Sequence, residues 1–257
     1  MDLGLTGRTA VVCASTGGLG AATARVLAAE GADVVVSGRA AADAQQLAAE
    51  LPSAIGVGCD LTSPDGPASL IAAAMEAFGR VDVLILNGPG PRPAPASAIT
   101  PADVAAAFAM LVSPHVALVR EVLPGMRQGG WGRILAFGSS GVTAPLPNLV
   151  MSNAGRAALA GYLKTLAAEV AADGVTVNML LPGRIATDRT ASLDEDAAQR
   201  TGKTAAEVRA QSASTIPVGR YGRAEEFAKV AAFLCSDVAS YVTGATVRCD
   251  GGLIRSL

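Results

Sequence analysis

The chain has 257 residues, of which 51% are hydrophobic, 16% charged and 4% aromatic, and its 20 basic and 22 acidic residues give a net charge of −2. That length suits one α/β domain with a sizeable core, the composition excludes bulk disorder, and no basic excess exists to draw in a nucleic-acid backbone. Gly, Asp or Arg interrupts each apolar run too early for a membrane span, and residues 1–5 lack both the basic start and the long apolar segment of a secretory signal, so a cytoplasmic protein is expected.

Taken in order, residues 9–14 predict a buried strand and 21–30 the helix after it. Strand 33–37 precedes helix 41–51, strand 54–59 precedes helix 67–78, and strand 81–86 precedes a long helix over 103–126. Strand 133–138 leads to helix 152–172, and a strand at 175–181, a helix at 224–235 and a seventh strand at 246–249 complete the series. Such alternation with short connections predicts an α/β fold: a doubly wound, Rossmann-type parallel sheet of about seven strands with helices on both faces. One domain over residues 1–257 is expected.

Two segments break the rhythm. Residues 87–95 (NGPGPRPAP) form a Gly/Pro loop directly after the fourth strand, and 184–218 shows little apolar periodicity after the sixth. In a doubly wound sheet both lie at the carboxyl ends of strands, where ligands bind. Residues 188–216 are therefore read as a substrate-loop region.

The first strand runs into Cys13-Ala14-Ser15-Thr16-Gly17-Gly18-Leu19-Gly20 and then a helix. Glycines at such a turn let the backbone approach a pyrophosphate and aim helix N–H groups at it; the competing reading is a turn that only packs helix on sheet. Metal chemistry is not expected. Cys13, Cys59, Cys235 and Cys249 are scattered without a CxxC pair, and His115 is the single histidine.

The sequence resembles the short-chain dehydrogenase/reductase family over essentially its whole length, close to the 3-oxoacyl-acyl-carrier-protein reductase group. The family's TGxxxGxG stands as Cys13-Ala14-xxx-Gly18-x-Gly20, with Ala14 in place of the first glycine, a residue that would crowd the turn if the position needs positive φ. Asp60, followed by Leu61, matches the adenine-contacting Asp, and Asn87-Gly88 begins the counterpart of NNAG. Asn178, Pro182-Gly183-Arg184-Ile185-Ala186-Thr187, Gly219-Arg220 and the stretch 241–252 match the later motifs. The resemblance implies a dinucleotide held by Ala14 to Gly20, by Asp60, Leu61, Asn87, Gly88 and Arg156, and by Pro182, Gly183, Ile185 and Thr187. It also implies a homo-oligomer, tetramer or dimer.

Family members that prefer NAD carry an acid at the end of the second strand. Here that place reads Ser37-Gly38-Arg39, so NADP(H) is expected to be preferred and NAD(H) to be the second choice. Arg39 would pair with a 2′-phosphate and Ser37 would donate to it; a solvated surface Arg39 is the alternative.

The catalytic positions depart from the family. Aligned on residues 157–169, the Tyr position is Ser152, the Lys position Arg156 and the Asn position Leu111, while Ser139 keeps the family's serine. Ser152 and Arg156 still share a helix face at i, i+4. A serine hydroxyl is a poorer acid than a phenol and ends well short of where a tyrosine oxygen would sit. Arg156 stays cationic, with a fork of donors suited to ribose, a substrate carboxylate or an oriented water. His115, one turn beyond Leu111, would suit acid catalysis, though a packing histidine is the commoner case. Ser152-Asn153-Ala154-Gly155-Arg156 with the loop at 87–93 is similar to a subgroup of reductase-like members without the usual active-site residues.

Three readings follow. The first is a carbonyl/alcohol oxidoreductase in which Ser139 and Arg156 polarise the oxygen and water or substrate supplies the proton. Its substrate is a small molecule, with anionic and acyl-thioester compounds both open because of Arg92, Arg184, Arg189 and Arg220. The others are a lyase, dehydratase or isomerase using Ser139, Ser152 and Arg156 as an oxyanion site, and a non-catalytic nucleotide-binding or scaffold protein.

Overall fold

The structure is a computed structural model and describes residues 1–256. Its first half runs β1 (Thr9–Val12), α1 (Gly18–Ala29), β2 (Asp33–Gly38), α2 (Ala41–Ala49), β3 (Ala54–Gly58), α3 (Gly66–Phe78) and β4 (Val83–Leu86). Then come α4 (Pro101–Leu111), α5 (Ser113–Gln128), β5 (Gly132–Phe137), α6 (Val150–Val170) and β6 (Val175–Pro182). The chain continues through α7 (Asp188–Thr201), α8 (Ala205–Ser214) and α9 (Ala224–Leu234) to β7 (Thr246–Cys249).

All the strand pairs are parallel, in the order β3-β2-β1-β4-β5-β6-β7. The doubly wound sheet expected from the alternation of elements is thus the fold. The chain winds outward from β1 to β2 and β3, then returns to lay β4 on the other side of β1, with Val12 paired to Val36 on one side and to Ile85 on the other. That reversal opens a crevice at the carboxyl ends of β1 and β4.

Successive strand residues serve opposite faces. Val11 and Val35 join Leu70, Leu118, Val122, Leu159 and Leu163 in one core layer under α3, α5 and α6. Val12, Val34 and Val36 join Leu27, Leu47, Phe227 and Ala231 in the other, under α1, α2 and α9. Burying both faces of a parallel sheet explains strands that read as continuous Val/Ile/Leu runs. Gly56 of β3 lets α2 come close: a Cβ there would lie within 2.3 Å of the α2 backbone at Ala44 and Gln45.

Three sequence expectations are corrected. The long helix over 103–126 is two helices, broken at Val112 (φ −120°, ψ −59°). Pro114 causes the break, because it has no N–H for the carbonyl of Met110 and its ring would collide with that carbonyl. The segment 184–218 is not irregular but carries α7 and α8, capped by Thr187 and Thr204, with a reciprocal Thr204–Glu207 capping box. The third correction concerns apolar length. Pro101–Gln128 contains an 18-residue window of mean hydropathy 1.7, long and apolar enough to cross a membrane by length and composition. In the fold this stretch buries Leu111, Leu118, Val119, Val122 and Met126 in the core.

Candidate active site

The turn after β1 is clasped from both neighbouring strands. The Ser37 amide donates to Ser15 Oγ (3.0 Å), and Ser15 Oγ donates to the Val12 carbonyl (2.7 Å). Ser37 Oγ accepts from the Ala14 amide and donates to the Val12 carbonyl, both at 3.2 Å. From β4, Asn87 Nδ2 donates to the carbonyls of Cys13 (3.2 Å) and Ala14 (3.0 Å). Burial pushes the Cys13 thiol up to about 12, so this residue packs rather than reacts.

Ala14 adopts φ +46°, the left-handed conformation that favours glycine, at a cost of about 1–2 kcal/mol. Gly20 is required by contact, since a Cβ there would lie 2.6 Å from the Ala14 carbonyl oxygen. Gly17 and Gly18 are exposed with no atom pressing on them except Thr187, 3.7 Å from the position of a Cβ on Gly18. The first turn of α1 has neither an acidic residue nor a side-chain cap. Its N–H groups at Gly18, Leu19 and Gly20 are therefore open to an anion. An open glycine cradle at an uncapped helix start fits a dinucleotide pyrophosphate.

Around the cradle, Thr16 covers Gly38, where a Cβ would strike its methyl group. Arg39 stands exposed just beyond β2. Its charge reaches Asp60, whose carboxyl lies below its ordinary range chiefly because the Thr62 hydroxyl and amide bond to it, with Arg39 a smaller contributor. Leu61 is partly buried against the core. Ser37 corrects its expected role: it is 1% exposed and its hydroxyl is spent on the turn, so it has nothing to offer a 2′-phosphate. Ser15, 0% exposed, is likewise a clasp within the protein.

On the far side, Gly183 lies where a Cβ would be 2.6 Å from Asp250 Cα, so the turn after β6 presses on the turn after β7. Ile185 is buried, and Thr187 caps α7 beside Gly18. Asn178 is a strap: its Nδ2 donates to the Val242 carbonyl and its Oδ1 accepts from Ala245.

Two of the three candidate catalytic residues are tied to the end of β5, and the third lies on α6. Ser139 caps the short turn Ser140–Val142, its Oγ accepting from Gly141. That turn packs on α6, where Asn153 exchanges hydrogen bonds with the Leu146 backbone. Ser152 sits partly exposed in the first turn of α6, and one turn later Arg156 Nη1 donates to the Phe137 carbonyl at 2.6 Å. Burial, with the Arg189 charge nearby, lowers Arg156 to about 10, which leaves it cationic near neutrality. Leu111 is buried and packs where a Cβ on Gly155 would meet it.

His115 is 3% exposed, with Nδ1 donating to the Leu111 carbonyl at 2.8 Å and Nε2 facing Gly88. Desolvation chiefly, and Arg156 in part, lower its pKa, so it is neutral at pH 7 beneath the β4 loop. Sequence reasoning missed the anchor of α7: Asp194, 3% exposed, accepts from Tyr221 Oη (3.0 and 3.1 Å) and from Arg184 Nη1 (3.2 Å). The sequence offered Arg189 of α7 as one of four arginines for an anionic substrate, but not its contact across the loop, where Nη2 donates to the Pro91 carbonyl at 3.1 Å. Neither contact has a local sequence signal, because the partners are 27 and 98 residues apart.

Residues 13–254 match the family described as enoyl-(acyl carrier protein) reductase. The chain is 35% identical over 267 residues to the cattle (Bos taurus) dehydrogenase/reductase SDR family member 4, covering 98% of this chain and 89% of that protein. It is 34% identical over 250 residues to the 3-oxoacyl-acyl-carrier-protein reductase of Escherichia coli strain K12, covering 96% and 97%. Among solved structures, the L-sorbose reductase of Gluconobacter frateurii, in complex with NADPH and L-sorbose, superposes with a TM-score of 0.94 at 30% identity over 100% of both chains. An NADPH-dependent reductase involved in bacilysin biosynthesis gives 0.92 at 30% identity, over 97% and 99%.

Proposed function

The chain belongs to the short-chain dehydrogenase/reductase family, a family of NAD(P)-dependent oxidoreductases, and on that premise we propose that it interconverts a small carbonyl compound and its alcohol with NADP(H) preferred over NAD(H). The observation that carries this reading is the pairing of an open glycine cradle with a cation, Arg156, fixed on the Phe137 carbonyl two residues before Ser139. The preference for NADP(H) rests on the absence of an acid in Ser37-Gly38-Arg39 and on the exposed Arg39. The nicotinamide, when bound, supplies the hydride for the carbonyl carbon.

The residues of this chain then act on the oxygen. Arg156 holds a positive charge where the oxyanion develops, and its bond to Phe137 fixes the guanidinium there. Ser139, with its Oγ accepting from Gly141, has its own proton free to donate to the same oxygen. Ser152, on the face of α6 that carries Arg156, is too short to protonate the substrate directly and instead orients a water, which gives the proton to the alkoxide to form the alcohol, the hydroxide left behind taking a proton from bulk solvent.

Val104 and Phe108 on α4, 41% and 39% exposed, and Phe233 and Tyr241, 40% and 102% exposed, support a homo-oligomer, tetramer or dimer, which light scattering would size. The activity test follows the loss of NADPH absorbance with a panel of small ketones. We expect turnover that falls about 100-fold or more in Arg156→Ala. Product formed with no change in NADPH overturns the redox reading in favour of a lyase or isomerase.

A further inference from the structure

His115 is the single histidine of the chain, and the carbonyl chemistry above does not use it. It follows Pro114 in the first turn of α5 and is 3% exposed, with Nδ1 2.8 Å from the Leu111 carbonyl at the break between α4 and α5. A carbonyl only accepts, so Nδ1 carries the hydrogen of the neutral ring and Nε2 keeps a bare lone pair. Nε2 and Cε1 point at the loop after β4, where a Cβ on Gly88 would stand 3.8 and 4.0 Å from them. The ring thus fills the space under position 88, and the glycine leaves that space to the ring.

The residue before Gly88 is the one that clasps the cradle. Asn87 Nδ2 donates to the carbonyls of Cys13 and Ala14, and a Cβ on Gly20 would lie 3.0 Å from the same nitrogen. Asn87 therefore touches both ends of the turn that bears the strained Ala14. Strand pairing brings the Arg156 anchor to the same level: Leu86 pairs with Ala136, so Asn87 and Phe137 are the next residues on neighbouring strands. Helices α5 and α1 belong to opposite layers of the sheet, so His115 supports from one side a loop that clasps the cradle on the other.

The surroundings of the ring suit its neutral form. Helix α4 turns a carbonyl toward it and the β4 loop a glycine, and among the described residues no carboxylate lies within ion-pair distance. The charge that reaches it comes from Arg156 on α6 and has the sign of an imidazolium. A proton on Nε2 would put a second cation into a desolvated place and a donor where a lone pair faced the loop. We infer that His115 is a positioning residue that seats the Asn87-Gly88 turn for the bound dinucleotide, and that it does so only as the neutral imidazole. The inference rests on the NADP(H) reading above.

Because the chain has one histidine, protein purified without a histidine tag gives a single set of imidazole nitrogen resonances. At neutral pH these should show Nδ1 protonated and Nε2 bare. Saturation with NADP⁺ should move the titration of the ring to lower pH, since binding selects the neutral form. Calorimetric titration with NADP⁺ is the second readout. His115→Ala, which empties the space under Gly88, should bind about tenfold more weakly at neutral pH. His115→Gln, which refills that space without titrating, should recover most of the loss. Below the ring's own midpoint, the wild-type affinity should fall about threefold or more beyond the fall in His115→Gln, whose decline reports the 2′-phosphate alone. A proton on Nε2 at neutral pH, a titration unmoved by NADP⁺, the same pH course in wild type and His115→Gln, or wild-type binding by His115→Ala would each overturn the positioning role. If NADP⁺ does not bind the unaltered protein, the NADP(H) reading falls and this inference with it, whereas NADP⁺ binding indifferent to His115 removes the positioning role alone.

Discussion

Ala14 shows how a single residue can keep a turn while departing from the motif that usually makes it. Its φ of +46° is the conformation a glycine would adopt without penalty, and Ser37 and Asn87 hold it there through three hydrogen bonds. Ala14→Gly relieves about 1–2 kcal/mol of left-handed strain and gives back part of it to unfolded-state entropy. The expected net gain of about 0.5–1 kcal/mol should raise the melting temperature by about 2 °C, measurable by calorimetry, with NADPH binding retained. A lower melting temperature would show that the clasp does not impose the strain. Arg156 offers a second residue-scale check. The protonated form is the one that stabilises an oxyanion, and burial brings its pKa from 12.5 to about 10. The log of kcat/KM should therefore stay level through neutral pH and fall as pH rises through about 10, where a solvated arginine would hold level. At this scale the sequence was informative about which residues gather and less so about what their side chains do. Ser37 sits where the motif puts it, but its hydroxyl turns inward, because the Ala14 amide and the Val12 carbonyl are nearer partners than solvent.

Helix α7 is anchored through one buried charge. Asp194 accepts from Tyr221 and from Arg184, which joins α7 to the segment before α9 and to the turn after β6. Asp194→Asn keeps the shape but loses the ion pair and turns one acceptor oxygen into an NH2 donor that faces the donors of Arg184 and Tyr221. A cost of about 1–2 kcal/mol is expected, since Arg184 stays partly solvated. Hydrogen exchange should speed up in α7 and α8 while β1, β4 and β5 are unchanged; uniform exchange across the sheet would contradict this anchoring role. The strands were legible from their β-branched runs, and both errors in the helices had signals in the sequence. Ser113-Pro114 marks the break between α4 and α5, and Thr204-Ala205-Ala206-Glu207 is a capping box in plain order. Weak apolar periodicity hid α7 and α8, because these helices bury few residues and rest on the long-range Asp194 contacts.

Across the whole molecule, the sheet places two half-sites at the carboxyl ends of its strands. One is the glycine cradle between β1 and β4; the other is the Ser139–Arg156 corner at β5 and α6. The first carries a strained alanine at φ +46°, while the second sets Arg156 on the Phe137 carbonyl two residues before Ser139. The measurement that tests this most directly is parallel calorimetric titration of the protein with NADPH and with NADH. The expected result is NADPH binding at about micromolar strength, NADH binding much more weakly, and Arg39→Ala bringing the two together. If neither nucleotide binds even at about millimolar concentration, the cradle does not hold a dinucleotide and the redox account is wrong.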